Sequence, residues 1–189
     1  YGLKYAEEQQ LLFGDGTSGN LHGIFPQASE YEKTALTETV NGIDDIRAAI
    51  VQADLARIPA TGIVMHLRDW ARIELLKDAN GNYIFGNPSA LAYPSLWGLP
   101  IVETEIEAFE GKFLTGAFSG AAQIFDREDA NVVISTENED DFARNLITVR
   151  CEERLALAVY RPEGFIKGVF SGADGAGKGD SSSPRPTFP

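Results

Sequence analysis

The sequence predicts an α+β fold with helices gathered early and strands gathered late. Three observations carry this reading. Apolar residues recur at three- and four-residue steps in the first half, and alternating or continuous short apolar runs dominate from about Leu96 onward. The length of 189 residues suits one compact domain, or two lobes, able to bury a sizeable core. Apolar residues make up 43% and charged residues 23%, so the chain has the balance of a globular protein and not of a disordered one.

Taken in order, residues 2–13 read as a helix with Leu3, Ala6, Gln10 and Phe13 along one side, stopped by Gly14 and Gly16. GDGTSGN (14–20) is a loop by composition. Residues 42–58 hold the clearest helix, with Ile43, Ile46, Ile50, Val51 and Leu55 on one stripe. Asn41 is its candidate cap, Asp44 and Asp45 sit where the helix dipole favours anions, and Pro59 ends it. GIVMH (62–66) is a short buried strand. A helix over 67–78 follows, with Trp70, Ile73 and Leu76 or Lys77 facing inward, and DANGNY (78–83) is a turn. Strands are expected at LPIVETEI, KFLTGAF, AQIFDRE and NVVISTE, mostly antiparallel. Residues 147–160 form a long strand in which Ile147, Val149, Cys151, Leu155, Leu157 and Val159 share a face that Glu153 interrupts. GFIKGVF (164–170) is the last strand, and the Gly/Ser/Pro-rich residues 172–189 are expected to be disordered.

Charge removes whole classes of function. Sixteen Lys and Arg against twenty-eight Asp and Glu give a net charge of −12. A basic nucleic-acid footprint is therefore not the theme, and an anionic membrane surface would repel the chain. No apolar run is long enough to span a bilayer. A single cysteine, Cys151, permits no intrachain disulfide, which favours a cytoplasmic setting. The chain begins at Tyr1 inside a helical pattern, with no basic-then-apolar leader, and is expected to start within a longer protein.

Few motifs survive inspection. GADGAGK (172–178) resembles a phosphate loop, but Gly179 stands where a Ser or Thr should place its hydroxyl on magnesium, and no helix can follow. DANGNY lacks the sixth-place glycine of a calcium loop, and Ser89 stands where a bidentate Glu is needed. GAFSG (116–120) has its serine one place late for a nucleophile elbow. No histidine or cysteine spacing suits zinc, so no metal and no cofactor are expected. His22 lies in a polar loop. His66, between a strand and a helix, is either a helix cap or half of an acid–base pair with Asp69, and that pair is the basis of a rival reading as a small acidic hydrolase. Residues 137–141 read as a solvated acidic loop. Asn145 with Cys151, Glu152, Glu153 and Arg154 places charge in an otherwise apolar strand, which is expensive unless those groups are paired or face a partner subunit.

Four blocks, GLKYAEEQQLLFGDGTSGNLHGI (2–24), RDWARIELLKDANGNYIFG (68–86), LWGLPIVET (96–104) and CEERLALAVYRPEGFIKGVF (151–170), together resemble the major capsid proteins of tailed bacteriophages and prophages, the Hong Kong ninety-seven-like fold. The resemblance implies a peripheral domain built of a spine helix and long antiparallel strands, and an axial α/β domain. Residues 1–20 would end the spine helix, 21–110 would form the axial domain and 111–171 the peripheral strands. The N-terminal arm and extended loop of the family have no counterpart in these blocks, so a fragment is expected.

The function implied is that of a structural, non-enzymatic subunit of an icosahedral virion shell. It would assemble in the bacterial host cytoplasm through pentamers and hexamers of itself, with portal and scaffold or protease proteins as partners. It would enclose DNA without sequence-specific binding, and it would not engage membranes. A nanocompartment shell is the alternative within the same fold. Some members join subunits by a Lys–Asn isopeptide bond, and the resemblance places the acceptor at Asn145 and the proton-accepting carboxylate at Glu152. The lysine would come from the extended loop. If the stretch is extended, seven residues span roughly 23 Å and the odd separation turns the two side chains to opposite faces. Such a site would draw on several subunits.

Overall fold

The structure is a computed structural model and describes residues 1–33, 42–78, 80–84, 93–136 and 141–170. The near-phosphate-loop 172–178, the tail 172–189, Asn41, Ser89 and most of the acidic run 137–141 lie outside the described residues.

Helix α1 (Gly2–Phe13) forms over the predicted span. Its inward side differs from the expected one: Tyr5, Leu12 and Phe13 pack inward, and Ala6 is exposed. Tyr5 and Leu12 stand two helical turns apart and carry far more apolar surface than Ala6, so their side wins. The helix stops at Gly14, whose N–H donates to the Gln10 carbonyl over 2.9 Å. Its φ is −51°, so glycine is there for space: a Cβ would collide with the Leu21 carbonyl oxygen. In the loop that follows, the Asp15 carboxylate accepts the Thr17 N–H and hydroxyl and the Asn20 amide. These donors, the Thr17 N–H foremost, hold the Asp15 carboxyl down at about 2.

A short helix α2 (Ile24–Gln27) and strand β1 (Ser29–Glu30) lead to helix α3 (Gly42–Leu55). α3 ends three residues before the expected stop at residue 58, because Arg57 turns into the left-handed region at φ 63°. Ile46, Ala49, Ile50 and Ala53 make its buried stripe, whereas Leu55 is exposed. Strand β2 (Gly62–His66) runs directly into helix α4 (Leu67–Glu74), which is shorter than predicted, so that Leu76 and Lys77 face solvent while Trp70 and Ile73 face inward. At the turn after α4, the Asp78 carboxylate accepts the backbone N–H groups of Asn80 and Asn82.

Strands β3 (Ser95–Leu96), β4 (Leu99–Thr104), β5 (Lys112–Gly116) and β8 (Phe165–Val169) complete a six-stranded sheet in the order β1-β8-β5-β2-β4-β3. Antiparallel pairing predominates among the described strands, as expected, and β2–β4 and β1–β8 are the parallel exceptions. All five residues of β2 are buried. Alternation sends Ile63 and Met65 into one core with α3 and α4, and Val64 into a second core with α1 and α2. β5 divides likewise, Phe113 to the first core and Leu114 to the second. The fold is α+β, with helices on both faces of a mixed sheet and a separate two-stranded hairpin.

Phe113 is fully buried, its ring centre 5.7 Å from that of Tyr31 and 5.2 Å from that of Phe170. Phe113→Ala is expected to lower unfolding stability by about 3–5 kcal/mol in urea titration, the range for a large buried aromatic truncated to Ala. The Asp15 loop gives a pH signature. Its carboxyl is lowered in the folded chain from 3.8 to about 2. Its stabilisation is therefore present above about pH 4 and lost as pH falls towards 2. Thr17 and Asn20 resonances followed by NMR should shift across that window, and should shift far less in Asp15→Asn.

Candidate assembly surface

Strands β6 (Ala122–Ser135) and β7 (Thr148–Val159) pair antiparallel from Ala122 with Val159 to Ser135 with Thr148. At about 3.4 Å per residue the ribbon runs for about 40 Å. Two strands were expected where β6 is one, because AQIFDRE and NVVISTE join through irregularities between Asp126, Glu128 and Asn131. The charged run between the two apolar segments sits on that bulge, where extra residues need no pairing partner.

The two faces of the hairpin differ. On one face Leu155, Leu157 and Val159 are half-buried, and Leu157 and Val159 pack against the core that includes α1. The interrupting Glu153 is the pin of this seam: its Oε1 accepts from Lys4 of α1 over 2.7 Å, and its side chain is nearly buried. Lys4 also reaches Glu7 at 2.7 Å, and the two carboxylates raise its pKa, Glu153 most strongly. Glu153 Oε2 is buried with no hydrogen-bond partner among the described residues. Further out on the same face no described residue covers the apolar side chains. Val149 is 56% exposed and its cross-strand partner Ile134 is 66% exposed; Val132 and Cys151 continue the strip. The opposite face is a charged ladder in which Arg150 pairs with Glu152 at 3.0 Å and Arg154 with Glu128 at 3.5 Å.

Asn145 and Glu152 fall on different parts of this element. Asn145 follows the short helix α5 (Asp141–Arg144), exposed and in the left-handed region at φ 56°. Glu152 lies within β7 opposite Asn131, half-buried and engaged by Arg150. Asparagine is among the few residues that tolerate a positive φ, so its placement at this corner has a local reason. At the foot of the hairpin an apolar groove of about 570 Å³ is lined by Leu11, Leu12, Ile24, Val64, Ile124 and Leu157.

His66 and Asp69 are both committed to the scaffold. His66 caps α4, its Nδ1 accepting the Arg68 N–H over 3.1 Å. Asp69 is buried, with one oxygen accepting the Gly111 N–H at 2.7 Å and the other the Arg72 guanidinium at 2.8 Å. Arg68 and Arg72 then grip Glu110, and Arg68 chiefly lowers its carboxyl pKa. This network ties α4 to the turn before β5. Among the described residues no cluster of His, Cys, Asp or Glu is arranged to hold a metal ion, and no helix is long and apolar enough to cross a membrane. Sequence reasoning found Glu153 as an anomaly but could not supply Lys4, whose only signal was a basic residue on an otherwise apolar–acidic helix.

A model of the phage capsid family matches residues 1–170. The chain belongs to this family. It is 49% identical over 172 residues to the major capsid protein of Enterobacteria phage HK97, covering 90% of this chain and 44% of that protein's length. Among solved structures, the capsid of an empty GTA particle superposes with a TM-score of 0.68 at 17% identity, covering 90% of this chain and 63% of that one. A structure of Microbacterium phage Oxtober96 gives a TM-score of 0.68 at 15% identity, covering 89% of this chain and 62% of that one. The fold of this phage capsid family member is thus shared with capsid structures across very low sequence identity.

If Glu153 pins the hairpin, Glu153→Ala should speed amide exchange across residues 150–155 by about tenfold, while exchange in β2 and β5 stays unchanged. Hydrogen-exchange mass spectrometry reads both regions in one experiment.

Proposed function

We propose that this chain is part of a structural shell subunit of a phage or prophage virion. It associates with copies of itself as pentamers and hexamers to enclose DNA. The observation that carries the reading is the 49% identity to the HK97 major capsid protein over 90% of the chain. The hairpin supports it physically. A lone two-stranded ribbon is marginally stable in water, and one that leaves Val132, Ile134 and Val149 bare gains by meeting another subunit. The net charge of −12 suits an inner wall that leaves packaged DNA mobile instead of binding it.

Residues 1–20 serve as the end of a spine helix, which fits the way Lys4 and Leu157 hold α1 along the hairpin. Residues 21–110 act as the axial domain and 111–171 as the peripheral strands. Shell growth takes place in the bacterial host cytoplasm and draws on portal and scaffold or protease proteins. No chemistry on an external substrate is involved.

Isopeptide joining belongs to the same proposal. A neutral lysine amine from a neighbouring subunit attacks the Asn145 side-chain carbonyl carbon, the amide C–N bond breaks and ammonia leaves. Glu152 accepts the amine proton and passes it to the departing amide nitrogen, which leaves as ammonia. The positions of Asn145 at an exposed corner and Glu152 within the strand fit a site completed only by assembly.

Electron microscopy of the full-length gene product should show rings or icosahedral particles; a monodisperse monomer at high concentration refutes the shell reading. Denaturing gels of mature particles should show covalent ladders that Asn145→Ala abolishes and that Glu152→Gln slows by about a hundredfold or more, the typical contribution of one proton-transfer group. Monomer bands alone from mature particles, with Asn145 intact by mass spectrometry, refute the joining chemistry and leave the shell reading standing.

A further inference from the structure

Both edges of the six-stranded sheet close with two-residue strands, β3 at one end and β1 at the other. Such short edges offer too little backbone for strand addition, so copies meeting side by side must do so through side chains. At the β3 edge the chain turns into β4 through Trp97 and Gly98, both in the left-handed region at φ 55° and 81°. Glycine adopts this freely. A bulky tryptophan does not, and strain of this kind persists where the surroundings hold it in place. The Trp97 ring is not buried to compensate, being 53% exposed. The Arg47 guanidinium of α3 lies over it, 5.4 Å from the ring centre.

Arg47 is itself exposed and has no carboxylate partner among the described residues. Arg57, Lys77, Lys112, Arg127 and Arg161 likewise meet no carboxylate among the described residues, but of these arginines only Arg47 lies over an exposed aromatic ring. Lys4, Arg68, Arg72, Arg150, Arg154 and Lys167 each meet a carboxylate within the chain. The opposite edge of the sheet carries Glu30 and Glu32 beside Lys33 and Lys167. The Gln52 side chain fixes the backbone there, donating to the Glu30 carbonyl and accepting the Glu32 N–H, each at 3.0 Å. Lys167 answers Glu30 at 3.2 Å, whereas no described residue answers the exposed Glu32 carboxylate.

We propose that Trp97 and Arg47 form a lateral docking element that receives Glu32 from the opposite sheet edge of a second copy of this chain. The inference rests on the shell reading and names the residues of one of its seams. A contact between unlike edges is heterologous and closes into a ring when the rotation between copies allows. Tryptophan and arginine are the residue types that dominate interface energetics, and the ring shields the Arg47–Glu32 pair from water.

The test uses the full-length gene product, with assembly read by sedimentation velocity and electron microscopy. Circular dichroism and thermal melting of the unassembled protein check that each variant folds. Arg47→Glu is expected to reduce the assembled fraction about tenfold, and Glu32→Arg to do the same. The double variant R47E/E32R is expected to recover assembly to within about twofold of the parent. Arg47→Glu assembling as the parent does, or a double variant no better than the singles, overturns this contact while the parent's particles keep the shell reading. A parent that remains monomeric overturns both.

Discussion

Burial of β2 on both faces is the constraint on which the rest of the fold depends. A strand with all five residues covered can be matched only by helices on each side, and the chain supplies α3 and α4 to one face and α1 and α2 to the other. The alternation of Ile63, Val64 and Met65 then decides which core each residue serves. The neighbouring β5 repeats the division with Phe113 and Leu114, so the two cores share a rigid wall two strands wide. Two of the polar groups admitted to this interior are answered by backbone N–H groups. Asp69 accepts the Gly111 N–H, and His66 the Arg68 N–H. That is why an acid–base pair in the sequence becomes two structural contacts.

The hairpin stands outside this wall and obeys a different rule. Near its foot it borrows the second core, through Leu157 and Val159, and near its middle one ion pair holds it to α1. Lys4 is largely exposed, so Coulomb attraction alone contributes little at that seam; the near-complete burial of Glu153 makes the geometry selective. Displacing β7 would leave a carboxylate in an apolar seam without its cation. Beyond Glu153 no such anchor exists among the described residues, and Val132, Ile134 and Val149 are left exposed.

Much of this was legible in the residues. Three- and four-residue spacing placed α1, α3 and α4, and a continuous apolar run placed β2, because each signal reports burial of a whole face. Helix ends were read less well. Arg57 stops α3 with a left-handed residue that no composition rule marks, and α4 ends before Leu76 because the chain must turn at Asp78. Parallel pairing of β1 with β8, 137 residues apart at Ser29 and Ile166, has no local signal at all. The candidate surface was half legible. Glu153 announced itself as a charge in an apolar face, but its partner lay at the other end of the chain, and Trp97 offered nothing in sequence to distinguish an exposed strained ring from a core one.

The distribution of cations gives the last step. In a chain this acidic, an internally paired cation settles local geometry, as Lys4, Arg72 and Lys167 do. Two features of another kind, a bare apolar strip on the hairpin and Arg47 over Trp97 at the sheet edge, lie on separate elements and differ in chemistry. An apolar strip binds with little directional preference, whereas a charge set against a charge fixes sign and orientation. A subunit that must repeat in a closed array needs both kinds of contact: one that makes neighbours adhere, and one that makes them adhere in a single register.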